Sequence, residues 1–391
     1  MLLLTAIGLV AIYSATNTHP TASGNFQKQY ITAIIGFVSF FIAYFIPYKT
    51  YRYIAVPSYI LSILALTAVI FLGKTVYGAK SWISIGPFGF QPSEFAKIGL
   101  ILFLAYYLTR KRKNPNKFKD FSVIALYSFI PILLILLQPD MGTALVYFAV
   151  IIAMFFWSGV DLFWFFLFIS PVVVLFASLF SLAAFVLSMF VVFALLIYFK
   201  KNIFINASIV VMNMSGAYLL DYAMQYLAPH QQKRILSFID PTADPLGAGY
   251  NILQTKVAIG SGGFLGKGFL HGNQTQLKYI PEQWTDFIFC VIGEEFGFIG
   301  SALVVILFVI LFYRLISITA HTKNKFGSTV IIGTLALMFT HFAINIGMNL
   351  GVAPVIGLPL PFLSYGGSSL IVNMTLIGIA LNFYNNRREQ I

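Results

Sequence analysis

The acid best placed for chemistry is Asp286, where the polar stretch YIPEQWT (279–285) gives way to the apolar run FIFCVIG (287–293). Spacing supports two roles for it equally. An acid at a helix start stabilises that helix through its dipole by about 0.3–1 kcal/mol. A carboxylate at the lip of a lipid-accessible cavity is equally a general base, able to take a proton from a water-soluble head group. Glu94 and Lys97 form a second candidate set: three residues apart, they share one face of a helix that Pro92 opens. Glu94 alone reads as a capping acid. Lys97, just inside the helix start, could instead neutralise a phosphate, with Glu94 positioning it or holding a cation. Trp82 in the preceding loop suits an interfacial anchor or a platform for stacking a sugar.

Other charged residues are weaker candidates. The segment GSGGFLGKG (260–268) lacks the glycine spacing of a nucleotide loop, and Gly268 stands where a magnesium-binding hydroxyl belongs. Its amides could still cup a diphosphate, with help from Arg234, Lys256 and Lys267, and from Lys233 and Lys278. Glu294 and Glu295 lie about 12–14 Å along the helix from Asp286. Acids at that depth cost roughly 2–3 kcal/mol each unless paired, so a partner inside the protein is expected. Cys290 is the single cysteine, and the five histidines are scattered without metal-ligand spacing. No metal is certain; a divalent cation (Mg2+ or Mn2+) on Asp286 and Glu94 is the one cofactor that the residues suggest.

These residues must be held by helices in lipid. Of 391 residues 59% are hydrophobic and 9% charged, which no soluble domain could bury. The expected fold is an all-α polytopic membrane protein with about twelve spans. They fall at 2–14, 29–46, 53–72, 94–108, 122–137 and 142–158, three within 162–227 broken near Ser181 and at FKKN (199–202), then 287–313, 328–350 and 369–385. Residues 1–391 form one membrane domain with 228–286 as its large loop. With the N-terminus inside, the loops 49–52, 110–119, 200–201, 314–325 and 387–388 are cytoplasmic and hold 15 of the 24 Lys and Arg. The net charge of +12 therefore orients helices rather than binding nucleic acid. The same parity puts 73–93, 138–142, 228–286 and 351–368 outside. The Pro/Gly-rich stretch PVIGLPLPFLSYGGSS (354–369) must be buried in protein or line a cavity.

Several stretches together resemble the SEDS family (shape, elongation, division and sporulation proteins). They are GLVAIYSAT (8–16), GAKSWISIGPFGFQPSEFAKI (78–98), QPDMGTAL (138–145), QKRILSFIDPTADPLGAGYNILQTKVAIGSGGFLGKG (232–268), QTQLKYIPEQWTDFIFCVIGEEFGFIG (274–300) and NIGMNLGVAPVIGLPLPFLSYGGSSL (345–370). QTQL makes the chain RodA-like rather than similar to the division branch. The resemblance implies a peptidoglycan glycosyltransferase that polymerises lipid II on the outer face of the bacterial cytoplasmic membrane. It also implies a class B penicillin-binding protein as partner, among other elongation-complex proteins. On the family's motifs the essential acid maps to Asp286, the QPSE-x-x-K acid and lysine to Glu94 and Lys97, and the loop tryptophan to Trp82. Family members usually have ten spans, so 160–204 is expected to add a helical hairpin. Trp284 stands where many members have histidine, which argues against a histidine relay there. The competing expectation is a lipid II flippase, which needs a polar cavity reaching both faces.

Overall fold

The computed structural model describes residues 1–17, 19, 22–76, 79–85, 88–110, 115–200, 202–218, 232 and 248–388. Twelve helices of 15 to 34 residues dominate them: α1 (Leu2–Thr16), α2 (Asn25–Phe45), α3 (Tyr48–Leu72), α4 (Pro92–Leu108), α5 (Phe118–Leu136), α6 (Met141–Trp157), α7 (Leu162–Phe180), α8 (Leu182–Phe199), α9 (Ile203–Tyr218), α12 (Ile288–His321), α13 (Lys325–Asn349) and α14 (Gly367–Asn385). Seven of them are at least 18 residues long and apolar enough to cross a membrane, and α1, α6, α7 and α9 contain shorter apolar stretches. Most are apolar all round, as spans in lipid must be. On α2 the side chains of Tyr30, Ile34, Val38, Phe41 and Phe45 are all exposed. Prolines sit inside α3, α5 and α7, where neighbouring helices can satisfy the freed backbone groups.

The breaks expected in the long apolar run are there. Ser181 separates α7 from α8 and caps α8 by accepting the Ala184 N–H at 3.1 Å. Lys200, in a left-handed turn, ends α8. Helices α7 to α9 bury their own small core of Phe163, Phe166, Val174, Val192, Leu196 and Ile209. Trp164 ties it to the main bundle by stacking on Phe121 of α5, 4.0 Å between ring centres.

Two connections are more ordered than the sequence suggests. The aromatic and glycine-rich segment after α3 forms a three-stranded antiparallel sheet, β1 (Lys74–Val76), β2 (Ala79–Ile85) and β3 (Phe88–Phe90). The described part of the large loop contains α10 (Ala248–Ser261) and the short α11 (Asn273–Gln276). Both pack on α12.

The bundle has two chemically different ends. At one, the Lys80 N–H reaches the Gln138 carbonyl (3.2 Å) and Gln91 N–H reaches Ser368 (3.2 Å). Gln283 reaches the Ala15 carbonyl at the end of α1 (3.1 Å). The Tyr365 N–H reaches the Trp284 carbonyl (2.8 Å), so the described parts of the four segments expected to share an end do so. At the other end, Lys49 and Arg52 of α3 come together with Arg110 after α4 and Asn324 before α13.

Candidate functional site

Glu94 lies in the first turn of α4, but its side chain caps nothing: it accepts from Lys97 at 2.5 Å, and both are buried. The i,i+3 spacing produces this pair within the helix. The Lys97 ammonium also lies 3.1 Å from Nε2 of His341, on α13. An ammonium can only donate, so Nε2 accepts and His341 carries its proton on Nδ1, which donates to the Pro359 carbonyl at 3.0 Å. Nearby, the buried Tyr147 donates to the Ser93 carbonyl at 2.6 Å.

His341 begins a row. Asn345 and Asn349 follow at four-residue steps, and all three are buried. Asn345 donates to the Leu358 carbonyl (2.7 Å) and to the Asp286 carbonyl (2.9 Å). Asn349 donates to the same Asp286 carbonyl (3.1 Å). A single face of α13 thus joins the Glu94–Lys97 pair to Asp286, and the steps from 341 to 345 to 349 climb about 6 Å each. The Pro/Gly-rich segment between α13 and α14 is buried as its composition requires, with Leu358, Leu360, Phe362 and Leu363 in the core. Its carbonyls at 358 and 359 are the ones this row satisfies.

Asp286 stands two residues before helix α12, which starts at Ile288 with Phe287 at its cap position. The backbone of Asp286 is pinned, while the residue stays half-buried at the end of the bundle. Trp284, two residues earlier, is buried with the ring of His19 edge-on at 4.8 Å. A histidine from the other end of the chain thus stands beside the position where the sequence places tryptophan. The Tyr365 N–H donates to the Trp284 carbonyl at 2.8 Å. Burial first, and the Glu282 carboxylate second, push the Tyr365 phenol above its ordinary range.

The glycine-rich loop serves the helix rather than a ligand. Helix α12 breaks at Gly297 (φ +62°). The carbonyls of Glu294 and Glu295, freed by the break, accept from the N–H groups of Lys267 and Gly268, both at 3.0 Å. Phe298 N–H donates to Gly263 at 2.9 Å in return. A β-carbon on Gly297 would lie 2.3 Å from the Gly266 nitrogen, so only glycine fits. Of the amides expected to cup a diphosphate, those of Lys267 and Gly268 are engaged by this exchange. Glu294 completes the join, accepting from Lys267 Nζ (2.9 Å), from the N–H groups of Gln274 (2.8 Å) and Thr275 (2.9 Å), and from the Thr275 hydroxyl (2.8 Å). Lys267 is the partner that the depth of Glu294 demanded. Glu295 accepts from Ser14 of α1 at 2.5 Å.

Of the other expected binding residues, Lys256 is exposed on α10. Its ammonium lies over Gly351, just past Asn349, 2.5 Å from where a β-carbon would stand. Trp82 is half-buried in β2 with its ring against Gly89 of β3. Arg234 and Lys233 lie outside the described residues. Sequence reasoning missed His341, Asn345 and Asn349, although H-x3-N-x3-N in an apolar span was a readable signal.

A metal fits these groups poorly. No three His, Cys, Asp or Glu side chains converge among the described residues. The place beside Glu94 that a cation would take is filled by the Lys97 ammonium.

The sequence matches the cell cycle protein family of FtsW, RodA and SpoVE over residues 1–194 and 166–389. It is 34% identical to the peptidoglycan glycosyltransferase RodA of Treponema pallidum, covering 98% of this chain and 95% of that one. Identity to the peptidoglycan glycosyltransferase MrdB of Escherichia coli K12 is also 34%, over 99% and 92% of the two chains. Its fold superposes with a TM-score of 0.70, at 27% identity and over 99% and 96% of the chains, on a chain from a structure of a peptidoglycan synthase complex that coordinates polymerization and crosslinking. The chain, with twelve long helices among its described residues, belongs to the FtsW/RodA/SpoVE family.

Proposed function

We propose that this protein is a peptidoglycan glycosyltransferase that polymerises lipid II during cell elongation, with Asp286 as general base. The observation that carries the role of Asp286 is its position: its backbone carbonyl is held by Asn345 and Asn349 just before α12 begins, and the residue is half-exposed at the end of the bundle. Lipid-linked sugars carry an α-diphosphate and the glycan is β-linked, so one inverting displacement suffices. The acceptor hydroxyl oxygen attacks the anomeric carbon while its proton passes to Asp286. The carbon–oxygen bond to the diphosphate breaks, and the diphosphate leaves with the electron pair.

The leaving group needs positive charge. Lys97 is buried and engaged by Glu94 and His341, so it reaches the diphosphate only by exchanging a partner. Lys256 is exposed near Asn349 and needs no exchange. Lys267, held by Glu294, acts on the loop instead. Trp82 offers its half-buried ring as a sugar platform.

The positive-inside rule supports placing the basic end in the cytoplasm and Asp286 on the outer face of the cytoplasmic membrane. The solved complex that this fold resembles supports a class B penicillin-binding protein as partner. The α7–α8 hairpin is read as an addition to the family core because the long apolar run breaks at Ser181 and Lys200 into more helices than one span needs.

The flippase reading requires a polar path between the two ends. Along α4 the residues between Lys97 and Arg110 include Leu100, Ile101, Leu102 and Leu104, all buried and apolar, packed in one core with Met154, Ile331 and Met338. That layer favours the enzyme. The deciding experiment is polymerisation of purified lipid II by the protein with its partner, wild type against Asp286→Asn. The variant is expected to express and assemble while turnover falls by ~10²–10⁴. Near-normal glycan from Asp286→Asn would remove the assignment.

A further inference from the structure

The basic end of the bundle contains a cavity of about 560 Å³ that the glycosyltransferase reading does not use. Lys49, Arg52 and Arg110 line it, together with Tyr48, Tyr53 and Tyr106. None of the three cations has a carboxylate partner among the described residues, and no acid lines the cavity. Two of them lie near rings: Arg52 is 5.9 Å from the Tyr106 ring centre and Lys49 5.8 Å from that of Tyr48. One of the cations also stands where a helix disfavours it: Lys49 lies in the first turn of α3, which holds no acid to offset the positive end of its dipole. Like charges gathered unpaired in a concave site leave a net positive potential there.

We infer that this cavity binds a phosphate group, and that an anionic phospholipid head group from the adjacent leaflet is the ligand that fits it. A phosphodiester supplies one negative charge and two acceptor oxygens, and guanidinium groups hold it through paired N–H donors. The rings of Tyr48, Tyr53 and Tyr106 match the depth at which tyrosine sits in a bilayer, beside head groups. Basic pockets between membrane helices on the cytoplasmic side are a recognised geometry for such lipids. The cavity lies at the far end of α3, α4 and α13 from Asp286, so occupancy would brace the bundle without entering the proposed site. The inference does not rest on the glycosyltransferase reading.

The test is binding of fluorescent phosphatidylglycerol to the full chain purified in a neutral detergent. Phosphatidylcholine, dioleoylglycerol and inorganic phosphate serve as separate probes. Wild type is expected to bind phosphatidylglycerol at least tenfold more tightly than either uncharged competitor. Arg52→Gln/Arg110→Gln should lose that preference, whereas Lys117→Gln/Lys119→Gln, which removes the same charge from the same end, should keep it. Displacement by inorganic phosphate at millimolar concentration would support the phosphate site while assigning it to a soluble ligand. Equal binding by both double variants, or equal affinity for phosphatidylcholine, would overturn the inference. Should Arg52→Gln/Arg110→Gln fail to fold, a photoreactive phosphatidylglycerol on wild type decides. Adducts at 48–56 and 106–110 support the site, and adducts only elsewhere refute it.

Discussion

Lys97 and His341 lie 244 positions apart in sequence and 3.1 Å apart in the fold, with the ammonium donating to Nε2. This contact joins α4 to α13 inside the bundle and fixes the tautomer of the histidine. Through Asn345 and Asn349 the same face of α13 goes on to hold the backbone of Asp286.

Replacing His341 by Ala is expected to leave the buried Lys97 short of an acceptor and the Pro359 carbonyl short of a donor. A loss of about 1–3 kcal/mol follows for each unsatisfied buried group. His341→Gln, with an acceptor and a donor of its own, should recover part of it. Thermal unfolding of the two variants in one detergent makes the comparison; equal melting would show that the contact contributes nothing.

Asn345→Leu should act on turnover more than on substrate affinity, because it removes one of the two donors that hold the Asp286 carbonyl. Misplacement by about 1 Å can cost a hundredfold in rate. The kcat and KM for lipid II, measured separately, distinguish this from lost binding, which would raise KM alone. Glu282→Gln, in the same loop but outside the row, serves as a control with near-normal turnover.

At Gly297 alanine meets two obstacles: a left-handed backbone and the Gly266 nitrogen where its β-carbon would go. Gly297→Ala is expected to cost on the order of 2–4 kcal/mol. Glu294→Gln should also destabilise, since it strips the charge from an acceptor serving four donors and leaves Lys267 unpaired. Both changes should expose the 262–276 loop to protease before the rest of the bundle unfolds. Protection unchanged from wild type would refute the join.

Orientation is testable with single cysteines at Asn273 and Lys323 after removal of Cys290. Both sites are exposed and lie at opposite ends. In intact spheroplasts an impermeant thiol reagent should label Asn273→Cys and spare Lys323→Cys. The reverse pattern would invert the topology and move Asp286 to the cytoplasm.

The sequence made some of this legible and hid the rest for a physical reason. Asp286 stands out in the sequence as an acid at a polar-to-apolar boundary, a position that suits a helix start and a general base equally. The breaks at Ser181 and Lys200 were readable because small or charged residues interrupt an otherwise lipid-soluble run. That Glu294 needs a partner was legible from its depth, but not that the partner is Lys267. Spans that are apolar all round carry no periodic signal of which face meets which neighbour, so pairings such as Lys97 with His341 stay hidden. The sheet at 74–90 was hidden too, because its two outer strands of three residues leave almost no alternation to count.

The row on α13 has a consequence in its pitch. Four residues of an α-helix turn through about 400°, so each step from 341 to 345 to 349 swings some 40° around the axis as it climbs. A vertical column would address one neighbour. This one sweeps like the treads of a spiral stair, meeting α4 at its foot, the buried carbonyls of the following segment midway and the backbone of Asp286 at its head. A small roll of α13 about its own axis would therefore turn all three connections together, coupling the buried Lys97 ammonium to the placement of the Asp286 carboxylate.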